Sequence, residues 1–214
     1  MKQNISKFSV NSKVLDQTRE IYRKNRVDLE RYIDFLLEWN EKINLVSRNV
    51  SRETVQEHVV HSLLPITLGL LDEHQEWLDS GTGGGLPGIP IAICEPGKFL
   101  FLNDNVRKKM RAVGDIVSSL GLENVRTVTK SISLVELKKG TGIMTKHAFK
   151  IPDLLRLLGK KPWQTILMWK GSEDAEEEVK KSRIKLNCKI CENDFGGDEP
   201  FYKGKGLVLI ERKN

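Results

Sequence analysis

A chain of 214 residues can bury one sizeable core, and its 39% hydrophobic residues include no run near the roughly 20 apolar residues that a membrane-spanning helix needs. The N-terminus lacks the apolar core and small-residue cleavage site of a secretory signal, so we expect a cytoplasmic protein. The formal net charge of +6 favours polyanionic partners, which makes a nucleic acid a candidate.

The first third of the chain has a helical pattern. Apolar residues such as Leu29, Ile33 and Leu36 recur three or four positions apart, which predicts an amphipathic helix. A serine or threonine just before such a pattern is a typical helix cap. We therefore predict a helical N-terminal extension over residues 1–72, with helices at residues 14–22, at residues 28–43 and from the caps Ser51 and Thr54 to about residue 64.

From Trp77 onward, short apolar runs that suit strands alternate with helical segments. This alternation predicts an α/β fold with a mainly parallel sheet and helices on both faces. The last two strands are joined by a loop that cannot hold a long helix, so they must form an antiparallel hairpin. In this core domain, residues 73–214, strands are predicted near residues 77–78, 99–102, 125–128, 143–145, 163–169, 185–191 and 206–211, and helices at residues 106–120, 132–138, 152–158 and 172–182.

A glycine-rich turn follows the first of these strands, with glycines at positions 81, 83, 84, 85 and 88. Glycine adopts a positive φ without steric cost and lets a ligand approach the backbone, so the turn is predicted to hold a ligand at the start of the next helix. Two registers compete. Gly83 to Gly88 fits G-x-G-x-x-G, the dinucleotide fingerprint of a dehydrogenase. Asp79 followed by alternating glycines resembles the first motif of S-adenosylmethionine (SAM)-dependent methyltransferases.

Three observations decide between the registers. The dinucleotide fingerprint needs its first glycine directly after the strand, but Gly83 comes later. The methyltransferase register also explains Asp79, whose carboxylate could accept hydrogen bonds from the turn or from the cofactor's ammonium. The antiparallel final hairpin resembles the methyltransferase sheet. Asp104 suits either register, because a carboxylate at a strand end can accept two ribose hydroxyls; its alternative role is to cap the next helix.

The segment from Leu78 to Pro90 reads Leu-Asp-Ser-Gly-Thr-Gly-Gly-Gly-Leu-Pro-Gly-Ile-Pro. It resembles the signature of the bacterial glucose-inhibited division B family, the 16S ribosomal RNA guanine-N7 methyltransferases. The Leu-Pro-Gly-Ile-Pro ending is far more specific than the glycines alone. Further matches extend over most of the chain, at Trp39-Asn40, Asn44-Leu45, His58-x-x-His61-Ser62-Leu63, Leu122-Glu123-Asn124-Val125 and Lys170-Gly171.

This resemblance implies a Rossmann-like class I methyltransferase fold with SAM as the cofactor. It implies 16S ribosomal RNA or the small ribosomal subunit as the partner. From the sequence we also expect a monomer with no metal and no membrane partner. Asn44, His147 and Lys170 would border the target base and serve catalysis. Asp104 would hold the ribose and Ile132 would lie by the adenine. The implied cofactor-binding residues are Asp79, Gly81, Thr82, Gly83, Gly85, Leu86, Asp104, Asn105 and Ile132.

The chain departs from the family pattern around the target pocket. The family usually has Ser-Arg-Ala-Phe after the strand near residues 143–145, where this chain has Lys-His-Ala-Phe, so the arginine corresponds to His147 or, one register over, to Lys146. The acid of a Phe-Asp pair before that strand is absent, and an arginine and an acid after the third strand become Ser131 and Ser133. These departures support an alternative hypothesis, an RNA-binding or regulatory protein that retains the cofactor fold but has lost catalysis.

Basic residues cluster at three places, which is consistent with an RNA-binding surface or with solvated helix faces. His58 and His61 are three residues apart without a third ligand, and Cys188 and Cys191 face opposite ways in a strand, so neither pair predicts a metal site. The basic clusters are Arg107, Lys108 and Lys109 with Arg111; Lys160 with Lys161; and Lys180 and Lys181 with Arg183 and Lys185.

Overall fold

A computed structural model describes residues 3–182 and 184–212 of the chain. In these residues, strands and helices alternate from residue 76 to the end of the final hairpin, and one strand precedes the first helix. The strands are β1 (Asn4–Val10), β2 (Glu76–Ser80), β3 (Phe99–Asn103), β4 (Val125–Val128), β5 (Gly142–Lys146), β6 (Thr165–Trp169), β7 (Leu186–Asn193) and β8 (Gly206–Arg212). The helices are α1 (Ser12–Lys24), α2 (Arg26–Lys42), α3 (Arg52–Thr67), α4 (Gly88–Cys94), α5 (Arg107–Leu120), α6 (Ile151–Leu158) and α7 (Ser172–Lys180).

The strands form one sheet in the spatial order β1-β7-β8-β6-β5-β2-β3-β4. Strand β8 is antiparallel to both of its neighbours, and the other pairs are parallel. One hydrophobic cluster contains the buried sides of α1 to α5, and a second cluster contains those of α6 and α7. The predicted α/β fold, with its antiparallel last strand and helices on both faces, is confirmed.

Local sequence signals place most helix ends where they were predicted. The Ser51 hydroxyl accepts a hydrogen bond from the Thr54 backbone N at 3.2 Å and so caps α3. Helix α5 is terminated by the next residue, Gly121, whose φ of 69° is the left-handed conformation that favours glycine. Helix α3 differs from the prediction at its end, because it continues through Pro65 to Thr67.

The first strand was not predicted. Strand β1 pairs in parallel with β7, with Asn4 opposite Asn187 and Val10 opposite Asn193. Its sequence, Asn-Ile-Ser-Lys-Phe-Ser-Val, does not alternate regularly between apolar and polar residues, so it carries no pattern that indicates a strand. In the structure only Val10 of this strand is buried. Strand β7 supplies the free edge that holds it. The N-terminal extension is therefore not wholly helical, and the division of the chain near residue 72 stays a prediction.

Two further segments test the local predictions. The helix predicted at residues 132–138 is wrong, because only a single 3₁₀ turn forms at Ile132–Leu134, and the Leu134 side chain is 70% exposed. Cys188 and Cys191 are free thiols that are buried in the two different hydrophobic clusters, one on each face of the sheet, as their spacing predicted.

Within the described residues, no helix combines the length and apolar character that crossing a membrane requires.

Candidate cofactor and active site

A cavity of about 740 Å³ opens at the carboxyl ends of β2, β3, β4 and β5. Strands β3 and β5 lie on opposite sides of β2, so the chain switches direction across the sheet at this point. Ligands of open α/β sheets bind at such switch points. Predicted site residues that line the cavity are Gly81, Thr82, Gly83, Leu86, Asp104, Asn105, Ile132 and His147.

The glycine turn has the backbone conformation that the sequence predicted. Gly81, Gly83 and Gly85 have φ values of 74°, 58° and 98°, which side chains other than glycine rarely adopt. The backbone N–H groups of Gly81 and Thr82 donate to the Asn103 carbonyl at 2.8 and 3.0 Å, so the turn is tied to the end of β3. The cavity therefore has a wall of hydrogen-bonded backbone on this side.

The Asp79 side chain bonds to the glycine turn and to the start of α4, and it does not itself line the cavity. Its Oδ2 accepts hydrogen bonds from the Thr82 hydroxyl at 2.6 Å and from the Gly88 backbone N at 3.0 Å. Its Oδ1 has no partner among the described residues. Complete burial raises the pKa of Asp79 to about 7. Of the two roles predicted for this carboxylate, the contacts with the turn are the ones that the structure contains.

Asp104 lies where both of its predicted roles, ribose ligand and helix cap, would place it. It lines the cavity directly after β3, and its Oδ1 accepts a hydrogen bond from the Val106 backbone N at 2.9 Å, just before α5 begins. The neighbouring Asn105 and, after β4, Ile132 line the same cavity. A carboxylate and a buried apolar side chain at adjacent strand ends provide one polar and one apolar contact for a nucleoside.

The other wall of the cavity follows β5. His147 has a φ of 55°, an uncommon conformation for a residue with a side chain, and lines the cavity beside Lys146. Desolvation of the ring is the main cause that lowers the pKa of His147, and the charges of Lys146 and Lys205 lower it further. The imidazole is therefore neutral at pH 7.

Some cavity residues were not predicted as site residues. Lys146 is only 8% exposed, and its Nζ donates to the His58 carbonyl at 2.6 Å and to the Ser62 Oγ at 3.0 Å. His58 and residues from the loop before α3 also line the cavity, because tertiary packing brings this part of the chain over the strand ends. Two sequence signals indicate Lys146: it ends an apolar strand, and it is one of the two residues in register with the family's arginine.

Asn44 and Lys170, two of the residues predicted at the target base, lie outside this cavity, and Gly85 of the glycine turn, like Asp79, does not line it. The exposed Asn44 side chain accepts a hydrogen bond from the Arg48 Nε at 3.1 Å, and its neighbour Leu45, not Asn44, lines the cavity. Lys170 forms an ion pair with Glu178 at 2.9 Å and lines a separate cavity of about 470 Å³ that also includes residues of α6 and α7. The predicted roles of Asn44 and Lys170 at the target base stay predictions.

The histidines of α3 pack against the final hairpin. His61 is fully buried, and its ring lies edge-on to Tyr202 with 5.7 Å between the ring centroids. His58 makes a similar contact with Phe201 at 4.9 Å. In residues 3–182 and 184–212, no three side chains of histidine, cysteine or acid are grouped as a metal site would need.

Burial of His61 makes stability depend on pH. Desolvation, followed by the charge of Lys146, holds the pKa of His61 well below its usual 6.5. The unfolded chain therefore takes up a proton below pH 6.5 that the folded protein does not, so stability is lost as the pH falls. In urea unfolding, the free energy of unfolding should fall less steeply with decreasing pH in His61→Gln than in the wild type. The difference in slope should rise from about 0.7 kcal/mol per pH unit at pH 6.5 to about 1.4 kcal/mol per pH unit near pH 5. Equal slopes in the two proteins would contradict this prediction.

Comparison with known proteins agrees with the sequence signature and the fold. The profile of the GidB family, described as rRNA small subunit methyltransferase G, matches residues 25–195. A ribosomal RNA small subunit methyltransferase G of Chlorobaculum tepidum is 45% identical over 192 residues, which cover 85% of this chain and 87% of the relative. A protein of the same name from Pelodictyon phaeoclathratiforme is 31% identical over 210 residues, which cover 93% of this chain and 90% of the relative.

Among solved structures, the fold resembles a magnesium protoporphyrin IX methyltransferase from Synechocystis PCC 6803 with bound SAM. The TM-score is 0.55 at 10% identity, over 94% of this chain and 97% of that one. At this identity the likeness concerns the fold alone, which is the class I methyltransferase fold. Together with the match over residues 25–195, these findings show that the chain belongs to the glucose-inhibited division B family, the rRNA small subunit methyltransferases G.

Proposed function

We propose that the protein transfers a methyl group from SAM to N7 of a guanine in 16S ribosomal RNA. The observation that carries this proposal is the cavity of about 740 Å³, in which the glycine turn and Asp104 line one side and the residues after β5 line the other. Such a cavity is large enough for a cofactor and an incoming base edge. Membership of the rRNA small subunit methyltransferase G family supports the choice of reaction and substrate.

The residues of the cavity fit SAM. The backbone of the glycine turn would hold the methionine part, the Asp104 carboxylate would accept the ribose hydroxyls, and Ile132 would contact the adenine. At Gly81 the turn leaves no room for a side chain, since a Cβ there would lie 2.4 Å from the Cβ of Ala148. When bound, SAM supplies an electrophilic methyl group on a sulfonium.

Strand order suggests how cofactor and base would share the cavity. Ile132 follows β4, Asp104 follows β3, and the glycine turn follows β2, and these three strands are neighbours about 4.8 Å apart. The implied adenine, ribose and methionine contacts therefore succeed one another across the sheet. The next strand end in this direction is that of β5, with Lys146 and His147. The target base would enter there.

Guanine N7 carries a lone pair in the ring plane and no proton, so its methylation needs no general base. The protein can act by positioning N7 in line with the methyl group and by excluding water. Apolar residues after α2 and after β5, among them Leu45, Val46 and Phe149, line the cavity and serve this exclusion. His147, whose imidazole is neutral at pH 7, lines the same side of the cavity.

One basic cluster is placed to bind the RNA. Arg107 and Lys108 are exposed at the start of α5, Lys109 lines the cavity, and none of them has an ion-pair partner within the described part of the chain. Basic side chains at a helix N-terminus oppose the helix dipole, a cost that bound phosphates would offset.

Three lysines of the other two basic clusters make contacts within the protein. Lys180 and Lys181 pair with Glu176 and Glu177, and Lys161 donates to the Val135 carbonyl. Arg183 of the third cluster lies outside the described residues. These contacts favour the cluster at the start of α5 as the one that faces RNA.

Transfer of labelled methyl from SAM tests the proposal. Purified protein is incubated with 16S ribosomal RNA or small ribosomal subunits from a strain that lacks the gene. We expect N7-methylguanosine in one of the two substrates, and cleavage of the RNA at the methylated base locates it. Calorimetric titration with SAM is run in parallel. SAM binding without transfer to either substrate would contradict the proposal and favour a regulatory RNA-binding protein; binding of a nicotinamide cofactor would favour a dehydrogenase.

A further inference from the structure

Lys146 is a buried lysine that has no role in the proposed mechanism. Its Nζ donates to the His58 carbonyl at 2.6 Å and to the Ser62 Oγ at 3.0 Å. The Ser62 hydroxyl donates its own hydrogen to the His58 carbonyl at 2.8 Å, so Ser62 can only accept from Lys146. An ammonium has three donors, and the contacts within the described residues use two of them. Because Lys146 lines the cavity, its third donor is available to a ligand there.

The charge of Lys146 is incompletely compensated inside the protein. In residues 3–182 and 184–212, no carboxylate lies within ion-pair distance of its Nζ. Desolvation lowers the pKa of Lys146 to about 7, and the charge of Asp79 only partly opposes this shift. A buried charge is costly unless it is paired or fully hydrogen-bonded. An acceptor oxygen from a ligand in the cavity would complete the hydrogen bonds of Lys146.

The position of Lys146 favours the base over the cofactor as the source of that oxygen. Lys146 ends β5, which lies beside β2 on the side away from β3 and β4. The residues proposed for ribose and adenine follow β3 and β4, so they lie on the far side of the glycine turn. A donor at the end of β5 therefore lies where the methyl-accepting edge of the base would be.

Guanine presents an acceptor at this edge. Its O6 is adjacent to N7, whereas adenine has an amino group in the place of O6. An ammonium donor would attract the guanine edge and repel the adenine edge. We propose that Lys146 selects the target base by donating a hydrogen bond to O6 of guanine. This inference rests on the proposed function, and it assigns Lys146 to base recognition while N7 remains free to accept the methyl group.

The test compares two RNAs once the methylated guanine has been mapped with the wild type. In the second RNA that guanine is replaced by 2-aminopurine, which keeps N7 and lacks O6. Methyl transfer gives kcat/KM for each RNA, and their ratio is the preference for guanine. In Lys146→Met this preference should fall by about 10- to 100-fold relative to the wild type, while the Kd for SAM is unchanged. Comparing the two ratios removes the difference in intrinsic reactivity between the bases.

Two further variants complete the design. Lys146→Gln keeps a neutral donor, and we expect a smaller loss of preference; it also serves if Lys146→Met fails to fold. Lys181→Met removes an exposed lysine that pairs with Glu177, and it should keep the wild-type preference.

An unchanged preference in the folded Lys146 variants would overturn the inference alone. Loss of SAM binding in them would also overturn it, because the third donor would then belong to the cofactor. If the wild type methylates no guanine in either 16S ribosomal RNA or the small subunit, the proposed function fails, and this inference fails with it.

Discussion

Replacing Gly81 by alanine is expected to abolish measurable SAM binding and to lower the free energy of unfolding by about 2–5 kcal/mol. A Cβ at this position would lie 2.4 Å from the Cβ of Ala148 and 3.2 Å from the Phe149 ring, and the φ of 74° disfavours any side chain. Relief of the overlap would separate the turn from the segment after β5, and these are the two sides of the cavity. Calorimetric titration with SAM and urea unfolding measure the two effects.

Gly114→Ala is the matched control for this substitution. Gly114 lies inside α5, and a Cβ there would meet nothing within 4 Å. Alanine is the better helix former, so we expect unchanged SAM affinity and a free energy of unfolding that is higher by up to about 1 kcal/mol. Wild-type SAM affinity in Gly81→Ala would show that the glycine turn does not hold the cofactor.

Asp104→Ala should weaken SAM binding by about 1–3 kcal/mol, or roughly 5- to 150-fold in Kd. The carboxylate lines the cavity at the end of β3, where it would accept hydrogen bonds from the ribose, and removal of this acceptor leaves the ribose hydroxyls unpaired. Calorimetric titration gives Kd directly. Urea unfolding of the same variant gives the cost of losing the hydrogen bond from the Val106 backbone N.

Asp104→Asn separates the two roles of this residue. Asparagine keeps an oxygen that can accept from the Val106 N, so stability should stay close to that of the wild type, while SAM affinity should lie between those of the wild type and Asp104→Ala. If Asp104→Ala lost stability and kept wild-type SAM affinity, Asp104 would be a helix cap and not a ribose ligand.

Elements with strong local signals could be predicted from the sequence. The periodicity of α2, the cap at Ser51 and the glycine after α5 each depend on residues a few positions apart. Strand β1 has no such signal, because its side chains are mostly exposed and its hydrogen bonds come from β7. The 3₁₀ turn after β4 also depends on its surroundings, because apolar periodicity alone does not distinguish it from a helix.

In the candidate site, too, features with a local sequence signal could be predicted, and features that depend on distant parts of the chain could not. The glycine turn and Asp104 were predictable because parallel strands bring their carboxyl ends to one edge of the sheet. The contacts of Lys146 with α3 join residues more than 80 positions apart, and no local pattern indicates them. Asn44 and Lys170 were expected at the target base by resemblance alone, and both lie outside the main cavity.

The parallel pairing of β1 with β7 has a consequence for how the protein is made. Asn4 bonds to Asn187, a partner 183 positions later in the chain. Synthesis proceeds from the N-terminus, so β1 leaves the ribosome long before β7 and can pair with it only after β7 has emerged. Such distant contacts form slowly, because a long loop must close before they stabilise anything. Strand β1 is therefore synthesised before the other strands of this sheet and is among the last of them to pair.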